Sequence, residues 1–330
     1  MIDDQNFSWL ALKKKDMDSG QKFDPEKLAT LVIVINSLYN FVSSCRLEHD
    51  GQVLHFADSN ISPLYLNMLY IRPSWRQLHD RIMNNLELGK KRILVSGSPG
   101  IGKSQFMLYC MWRAIQSGVQ SFLYQQESGV VERHSHNSIT HADPFDRWRN
   151  IHYGIPFFAD ITDLSEPLPG MVDSSAYTII CSPSDHPSRY NHFLKARGSI
   201  TYIPEPWSKY EIDKAWELIP TFKLVPKELV NSQFKLYGGV PRYVFDKPDE
   251  GDVAMHRAIL TKGREAAIAL RTISLSSEED SDMACTVVHM YIGHSDNGDK
   301  CSDKVALLPA SPTVARVLTE LYPRHMRNKL

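Results

Sequence analysis

Cysteine is scarce in this sequence, and long apolar runs are absent. The 330 residues include five cysteines, none of them in a Cys-x-x-Cys pair: Cys45, Cys110, Cys181, Cys285 and Cys301. An odd number of scattered thiols argues against a disulfide framework and indicates a reducing compartment. The most apolar stretch, residues 28–42, is interrupted by Asn36 and Ser37, and it is shorter than the ~20 residues that a membrane span requires. We therefore expect a buried helix there and no association with a membrane.

Charge of one sign is also lacking. There are 37 Lys and Arg residues against 38 Asp and Glu residues, which gives a formal net charge of -1. This balance argues against a generally basic nucleic-acid binder, although it leaves room for a local basic patch. The first residues include Asp3 and Asp4 and no cationic segment followed by an apolar core, so we expect no conventional secretory signal.

The amino-acid sequence divides into four parts. Residues 1–65 contain one apolar helix candidate and one short alternating stretch at 52–56, and they have no assignable chemistry. We predict an NTPase core at residues 66–206, a helical lobe at 207–273 and a small C-terminal α+β segment at 283–330. A run of Ser, Glu and Asp residues before the last part is the best linker candidate.

Strands and helices alternate within the predicted core. Short runs of β-branched and aromatic residues, bounded by polar or Gly/Pro residues, predict five strands: 92–96, 121–124, 155–159, 177–181 and 199–203. This alternation is typical of an α/β fold in which helices cover a mainly parallel, here five-stranded, sheet. Residues 130–140 also alternate and are compatible with an inserted hairpin.

Helix boundaries after the sheet are clearly marked. Ser208 and Glu211 have the spacing of a capping box and predict a helix that runs to Leu218. A second helix is predicted to start at Pro226 and to end at Gly238 and Gly239, because glycine accepts the backbone conformation that closes a helix.

One motif carries specific chemistry. Residues 97–104 read Gly97-Ser98-Pro99-Gly100-Ile101-Gly102-Lys103-Ser104 and satisfy the phosphate-loop pattern G-x-x-x-x-G-K-[ST] between a predicted strand and a predicted helix. In such a loop the backbone N–H groups and the helix N-terminus bind phosphates. Lys103 is expected to contact the β and γ phosphates, and the Ser104 hydroxyl is expected to bind Mg²⁺. The motif predicts a nucleoside triphosphate with Mg²⁺ as the ligand.

A phosphate loop requires a partner carboxylate that holds the Mg²⁺ shell. Asp160 is the best candidate, because it ends a predicted strand and is expected to lie at the carboxyl edge of the sheet; an ordinary turn aspartate is the alternative. Many ATPases place a Glu after this Asp, whereas Ile161 stands here. Asp163 and Glu127 are possible substitutes, so hydrolysis stays open and nucleotide binding is the stronger expectation.

Other polar residues are candidates for contacts with the phosphates. Ser182 follows the fourth predicted strand and is placed to sense the γ-phosphate, or it is a simple strand-end serine. Arg242 follows the Gly-Gly break and is placed to approach the nucleotide from the helical lobe. Arg189 and Arg197 are alternative cationic contacts, and each of these arginines also fits a surface ion pair.

A group of histidines invites a metal-site interpretation, which we discount. His134, His136, His141 and His152 lie near one another in the sequence. Since no cysteine accompanies them and their spacing matches no standard zinc site, we expect a solvated hairpin instead.

Five segments occur together in one order: 97–104, 158–160, 178–183, 202–207 and 237–245. With their Trp207 and Gly-Gly-x-Pro-Arg elements they make the chain, over about residues 70 to 322, similar to the NTPase region of Crinkler effectors and of the related retrotransposon hot spot proteins. The resemblance implies phosphate-site roles for Lys103, Ser104 and Asp160. It also implies secretion and action in a host nucleus. We expect no ubiquitin-like header in this chain and do not carry over DNA cleavage.

These observations favour an ATP-binding, weakly hydrolysing switch protein. Mg-ATP at residues 97–104 is expected to order the helical lobe through Arg242, and the lobe would then bind a protein partner. The alternative is a non-catalytic scaffold that the nucleotide stabilises and that associates with proteins or chromatin. A small-molecule kinase ranks last, because no Arg-rich lid insertion is visible. The lack of an Asn-Lys-x-Asp guanine reader favours ATP over GTP.

Overall fold

Helices and strands both occur throughout the residues that the structure describes. The computed structural model describes residues 38–56, 67–125, 131–136, 138–142, 154–161, 175–181, 193, 195, 197–246, 251–272, 287–294 and 300–326. The strands are β1 (Arg46–Glu48), β2 (Val53–His55), β3 (Met68–Tyr70), β4 (Arg92–Val95), β5 (Ser121–Gln125), β6 (Val131–Ser135), β7 (Ser138–Ala142), β8 (Phe157–Asp160), β9 (Thr178–Cys181), β10 (Ser199–Tyr202), β11 (Val288–His294) and β12 (Lys300–Pro309). The helices are α1 (Leu38–Ser43), α2 (Pro73–Glu87), α3 (Lys103–Gln116), α4 (Lys209–Leu218), α5 (Lys227–Tyr237), α6 (Gly251–Thr272), α7 (Pro312–Leu321) and α8 (Pro323–Met326).

A seven-stranded sheet forms the centre of the fold, in the order β10-β4-β9-β8-β5-β6-β7. The first five of these strands are parallel and coincide with the five predicted strands, which confirms a mixed α/β fold with a mostly parallel sheet. The predicted strand count was wrong. The alternating stretch 130–140 forms the antiparallel hairpin β6–β7, and β6 pairs with β5. An antiparallel hairpin extends a sheet without a crossover helix, so the sheet gains two strands at this edge.

Both faces of the sheet are buried by apolar side chains. Phe106 and Met111 of α3 share one cluster with Ile93 and Val95 of β4 and with Phe158 of β8. The alternate residues of the same strands belong to a second cluster, because successive side chains of a strand point to opposite faces. Burial on both faces explains the continuous apolar runs of the central strands.

A small antiparallel sheet in the order β1-β2-β3 precedes the core. Strand β2 lies within the predicted stretch 52–56. Phe41 of α1 stacks on Phe56, with ring centroids 4.5 Å apart. Strand β3 leads directly through Arg72 into α2, so this sheet is tied to the main core at that point.

The helical segment, which we define as residues 208–246, follows the last strand of the main sheet. It contains α4, a 3₁₀ turn (Phe222–Leu224), α5 and a π-helical turn (Arg242–Asp246). The predicted capping box is confirmed: the Glu211 N–H donates to Ser208 Oγ at 3.2 Å, and the Ser208 N–H donates to Glu211 Oε2 at 2.8 Å. Pro226 is the N-cap of α5, so the helix starts at Lys227, one residue later than predicted.

Two adjacent glycines allow close backbone contacts at the end of α5. A Cβ on Gly239 would lie 1.8 Å from the Trp207 carbonyl oxygen, and a Cβ on Gly238 would lie 2.1 Å from the Ala310 carbonyl oxygen. The Trp207 N–H donates to the Gly239 carbonyl at 2.7 Å. Only residues without a side chain permit this packing.

The C-terminal elements share a core with α5 and α6. Tyr237, Ile259, Val314 and Leu318 belong to one buried cluster, which the hairpin β11–β12 covers in part with Leu307. The 22-residue helix α6 carries several charged residues, and no helix within the described ranges has the length and apolarity that a bilayer span would need. The proposed boundaries at 65, 206 and 273 stay predictions.

Replacing Gly239 by Ala should destabilise the fold strongly. The new Cβ would overlap the Trp207 carbonyl and force the two backbone segments apart, which we expect to cost about 3 kcal/mol of unfolding free energy. Gly89→Ala is the control, since a Cβ there meets nothing within 4 Å and only the positive φ of Gly89, 79°, opposes a side chain. The control should lose about 1 kcal/mol. Urea denaturation compares the two, and equal losses would contradict the close contact.

Candidate phosphate-binding site

The loop at residues 97–104 joins β4 to α3 at the carboxyl edge of the main sheet. Gly102 is the N-cap of α3 with a φ of 96°, and Gly100 has a φ of 78°. A Cβ on Gly102 would lie 2.6 Å from Gln105 Oε1. The first N–H groups of a helix have no acceptor within the helix and carry its positive dipole end. The loop therefore presents backbone donors at a position suited to an anion.

Lys103 adds a full positive charge to this loop. Its Nζ donates to the carbonyl oxygens of Gly97 at 2.7 Å and of Ser98 at 3.0 Å, and the side chain is partly buried. The ammonium group thus lies within the loop and does not extend outward. Ser98 is buried, whereas Pro99 and Ser104 are partly buried.

Asp160 lies at the same edge of the sheet as the loop. Strand β9 runs between β4 and β8, and its Cys181 is in register with both Val95 of β4 and Asp160 of β8. Because neighbouring strands are ~4.8 Å apart, the Cα atoms of Val95 and Asp160 are about 10 Å apart. The carboxylate of Asp160 is partly buried and ends the strand two positions away from the one that feeds the loop.

The pKa of the buried Cys181 thiol is affected by the charges of Asp160 and Lys103. The thiol donates to the Lys103 carbonyl oxygen at 3.3 Å. Burial, followed by the negative charge of Asp160, raises the pKa of Cys181 well above its usual value, while the Lys103 ammonium acts in the opposite direction. Both charged groups therefore lie within electrostatic range of one strand end, and Cys181 stays a neutral thiol.

Arg242 begins the π-helical turn and lies against the loop. A Cβ on Gly100 would be 2.9 Å from the Cβ of Arg242 and 3.0 Å from Cγ1 of Val240. The rest of the Arg242 side chain is exposed. The structure thus brings together the loop, Asp160 and the start of the Arg242 side chain.

Several predicted residues are not part of this arrangement. Asp163, Ser182, Glu127 and Arg189 lie outside the described residues. Arg197 precedes β10, at the amino edge of the strands, whereas the loop follows their carboxyl edge. Arg197 is therefore on the wrong side of the sheet for a phosphate contact.

His134 of the hairpin is buried and has structural contacts, so the expectation of a solvated hairpin is wrong for this residue. His134 is buried in β6, where its Nδ1 accepts the Leu38 N–H at 3.2 Å and its Nε2 lies 3.3 Å from Glu132 Oε2. His152 lies outside the described residues, and within those residues no group of His, Cys, Asp and Glu side chains is arranged to hold a metal ion.

Trp207 connects the loop to the helical segment. Its indole Nε1–H donates to the Ile101 carbonyl oxygen at 2.9 Å in a buried hydrogen bond. Ile101 is fully buried and stands between Gly100 and Gly102. The backbone of the loop is thus held from the side of α4.

A buried ion pair supports Trp207 from the opposite side. Arg72 donates from Nε and Nη2 to the two carboxylate oxygens of Glu211, both at 3.0 Å, and from Nη1 to the Glu205 carbonyl at 3.0 Å. The guanidinium also lies 5.1 Å from the centroid of the Trp207 ring. Arg72 is only 1% exposed, so its charge depends on these partners for compensation.

The charge state of Glu211 follows from the same contacts. Burial alone would raise the pKa of Glu211, but the hydrogen bonds and charge of Arg72, together with Ser208, outweigh it and hold this pKa below its ordinary value. Sequence reasoning identified Glu211 only as a helix cap. Its ion pair with Arg72 had no local signal, because 139 residues separate the two.

Replacing Glu211 by Gln should lower stability in a pH-dependent way. At neutral pH the variant leaves a buried guanidinium without its counter-charge, so we expect a loss of about 3 kcal/mol of unfolding free energy. Since the folded-state pKa of Glu211 is depressed, its ionisation stabilises the wild type fully above the ordinary glutamate pKa and less as pH falls toward the folded-state value.

On acidification, Glu211→Gln should therefore lose less unfolding free energy than the wild type does. Glu217→Gln on the same helix is the matched control, because Glu217 pairs with Lys214 at the exposed surface, and it should change little. Chemical denaturation at several pH values measures both, and a parallel pH dependence of Glu211→Gln and wild type would contradict the assignment.

The chain is similar to two proteins of Phytophthora infestans. No protein-family model matches it. It is 25% identical over 260 residues to Crinkler effector protein 15 and 25% identical over 259 residues to Crinkler effector protein 16, covering 76% of this chain in each case. The matched region spans 40% of each relative. These similarities support a Crinkler-like relationship for most of the chain.

Proposed function

We propose that this chain is an ATP-binding switch protein with a P-loop NTPase core like that of Crinkler effectors. The observation that carries the proposal is the arrangement at the carboxyl edge of the sheet. There the Lys103 ammonium lies within the loop at the N-terminus of α3, and Asp160 ends the strand two positions away. A cationic loop beside a carboxylate suits a magnesium-bound polyphosphate.

Different groups of the site would bind different parts of the ligand. The amides of residues 97–104 and the dipole of α3 would hold the phosphate oxygens, and the Lys103 ammonium would neutralise charge on the terminal phosphates. The Ser104 hydroxyl and the Asp160 carboxylate are hard oxygen donors, which fit Mg²⁺. When bound, Mg²⁺ would neutralise further phosphate charge. Asp163 and Ser182 stay candidates for contacts near the γ-phosphate.

Arg242 would link the helical segment to the bound ligand. The base of its side chain packs on Gly100 and the residue is exposed, so its guanidinium would be able to turn toward a terminal phosphate. A contact made only when the triphosphate is present would favour one position of the segment. The segment would then present a changed surface to a protein partner.

Slow hydrolysis is expected from the residue after Asp160. Ile161 is 1% exposed and has no group that orients water. This observation favours, as a second candidate function, a nucleotide-stabilised binding module without turnover. Both candidates share the same site and differ in whether phosphate is released.

We also propose that the protein acts as an effector in a host cell, with the host nucleus as its site of action. The similarity to proteins named as Crinkler effectors supports this role. A fluorescently tagged chain expressed in host cells would accumulate in the nucleus if the proposal holds, and exclusion from the nucleus would contradict it.

Replacing Lys103 by Ala should weaken ATP binding by roughly 10- to 100-fold, because a charge-assisted hydrogen bond contributes about 1.5–3 kcal/mol. Calorimetric titration with Mg-ATP and Mg-GTP measures this loss and the base preference. Lys90→Ala is the control, since Lys90 is exposed before β4, and it should bind as the wild type does. Equal phosphate release by wild type and Lys103→Ala would exclude catalysis at this site.

Replacing Asp160 by Asn should remove the benefit of Mg²⁺ and not the binding of the nucleotide itself. The wild type should bind ATP more tightly with Mg²⁺ than with EDTA, because the carboxylate helps to hold the ion. In Asp160→Asn the affinity for ATP with Mg²⁺ and the affinity with EDTA should differ by less than about twofold. A variant that keeps the full Mg²⁺ dependence would show that another group holds the ion.

A further inference from the structure

The Ile101–Gly102 peptide is held from the side opposite to the expected ligand. The Trp207 indole donates to the carbonyl oxygen of this peptide at 2.9 Å. In a planar trans peptide the C=O and the following N–H point in opposite directions. A carbonyl directed toward Trp207 therefore directs the Gly102 N–H away from Trp207, and the indole fixes the orientation of an amide in the phosphate loop.

Trp207 itself is fixed by groups on several elements. Arg72, which precedes α2, lies over its ring, and Trp75 of α2 meets the ring edge-on with centroids 6.4 Å apart. Its backbone N–H donates to the Gly239 carbonyl at 2.7 Å, beyond the end of α5. Trp207 is 5% exposed. A shift of the indole thus requires a shift of the segment that connects β10, α4 and the end of α5.

We propose that Trp207 is a positioning residue that couples occupancy of the phosphate loop to the helical segment. This inference rests on the proposed function, because it assigns a means of regulation to the same site. With the indole in place the Gly102 amide is preorganised for a phosphate oxygen. Without it the peptide is free to rotate, and part of the binding free energy is used to order it.

The coupling must act in both directions. If the indole hydrogen bond favours the binding-competent loop, a bound nucleotide strengthens that hydrogen bond by the same factor. Arg242 meets the loop at Gly100, one residue before Ile101. Trp207, which directly precedes the helical segment, thus contacts the loop at Ile101, and the segment itself contacts the loop at the neighbouring Gly100.

Trp207→Phe tests the coupling, and Trp216→Phe is its matched control. Trp216 of α4 also donates its indole N–H to a backbone carbonyl, at 2.9 Å, but this carbonyl belongs to Val225 of the helical segment and not to the loop. We expect Mg-ATP affinity, measured by calorimetry, to fall about five- to tenfold in Trp207→Phe. Trp216→Phe should stay within about twofold of wild type.

A spectroscopic measurement separates positioning from a general loss of stability. In protein labelled with fluorotryptophan, the fluorine resonance that is missing from Trp207→Phe should shift when Mg-ATP is added. The resonance that is missing from Trp216→Phe should shift less, because this indole donates to Val225 and not to the loop. If Trp207→Phe fails to fold, hydrogen exchange of the wild type gives the second test, with slower exchange expected in α4 and α5 on addition of Mg-ATP.

The outcomes distinguish this inference from the function on which it rests. Absence of ATP binding by the wild type overturns the proposed function. Tight binding by the wild type with equal affinities of Trp207→Phe and Trp216→Phe overturns the coupling alone. An unshifted Trp207 resonance, or unchanged exchange in α4 and α5, overturns it as well.

Discussion

Parallel pairing of β4, β9 and β8 sets the position of the candidate site. Cys181 of β9 is in register with the last residue of β4 and the last residue of β8, so the loop that follows one strand and the carboxylate that ends the other meet at one edge. Parallel strands all end at the same edge of a sheet, and ligands of open α/β folds bind there. Without this pairing, Lys103 and Asp160 would be two unrelated charges on one surface.

A second set of contacts, made by Arg72, Glu211 and Trp207, holds the backbone of the loop. The ion pair of Arg72 and Glu211 is buried at a considerable desolvation cost, and buried pairs of this kind often add little net stability. The pair does fix the end of the main sheet, the start of α4 and the ring of Trp207 relative to one another. Its role is thus better understood as geometric, because it places an indole donor against one carbonyl of the loop.

The two sets of contacts are the basis on which we propose a nucleotide-dependent switch and not rapid turnover. The buried Ile161 follows Asp160, so the residue type that often orients water is missing at this position. The loop instead contacts Trp207, directly before the helical segment, and Arg242 within that segment. In the proposed switch, the two positions would differ by whether phosphate is bound.

The local pattern by itself determined the five parallel strands, the phosphate-loop motif, the capping box at Ser208 and the Gly238–Gly239 break. These features depend on neighbours within a few residues, through strand periodicity, backbone conformation and short-range hydrogen bonds. Only the tertiary structure decided that the hairpin at 131–142 joins the sheet, that Arg197 lies at the opposite edge, and that Arg72 pairs with Glu211. Each of these depends on which distant segments become neighbours, and a buried ion pair across 139 residues leaves no periodic trace in either segment. The hydrogen bond from Trp207 to Ile101 was likewise decided only by the tertiary structure, since an indole and a carbonyl become partners only when the chain folds.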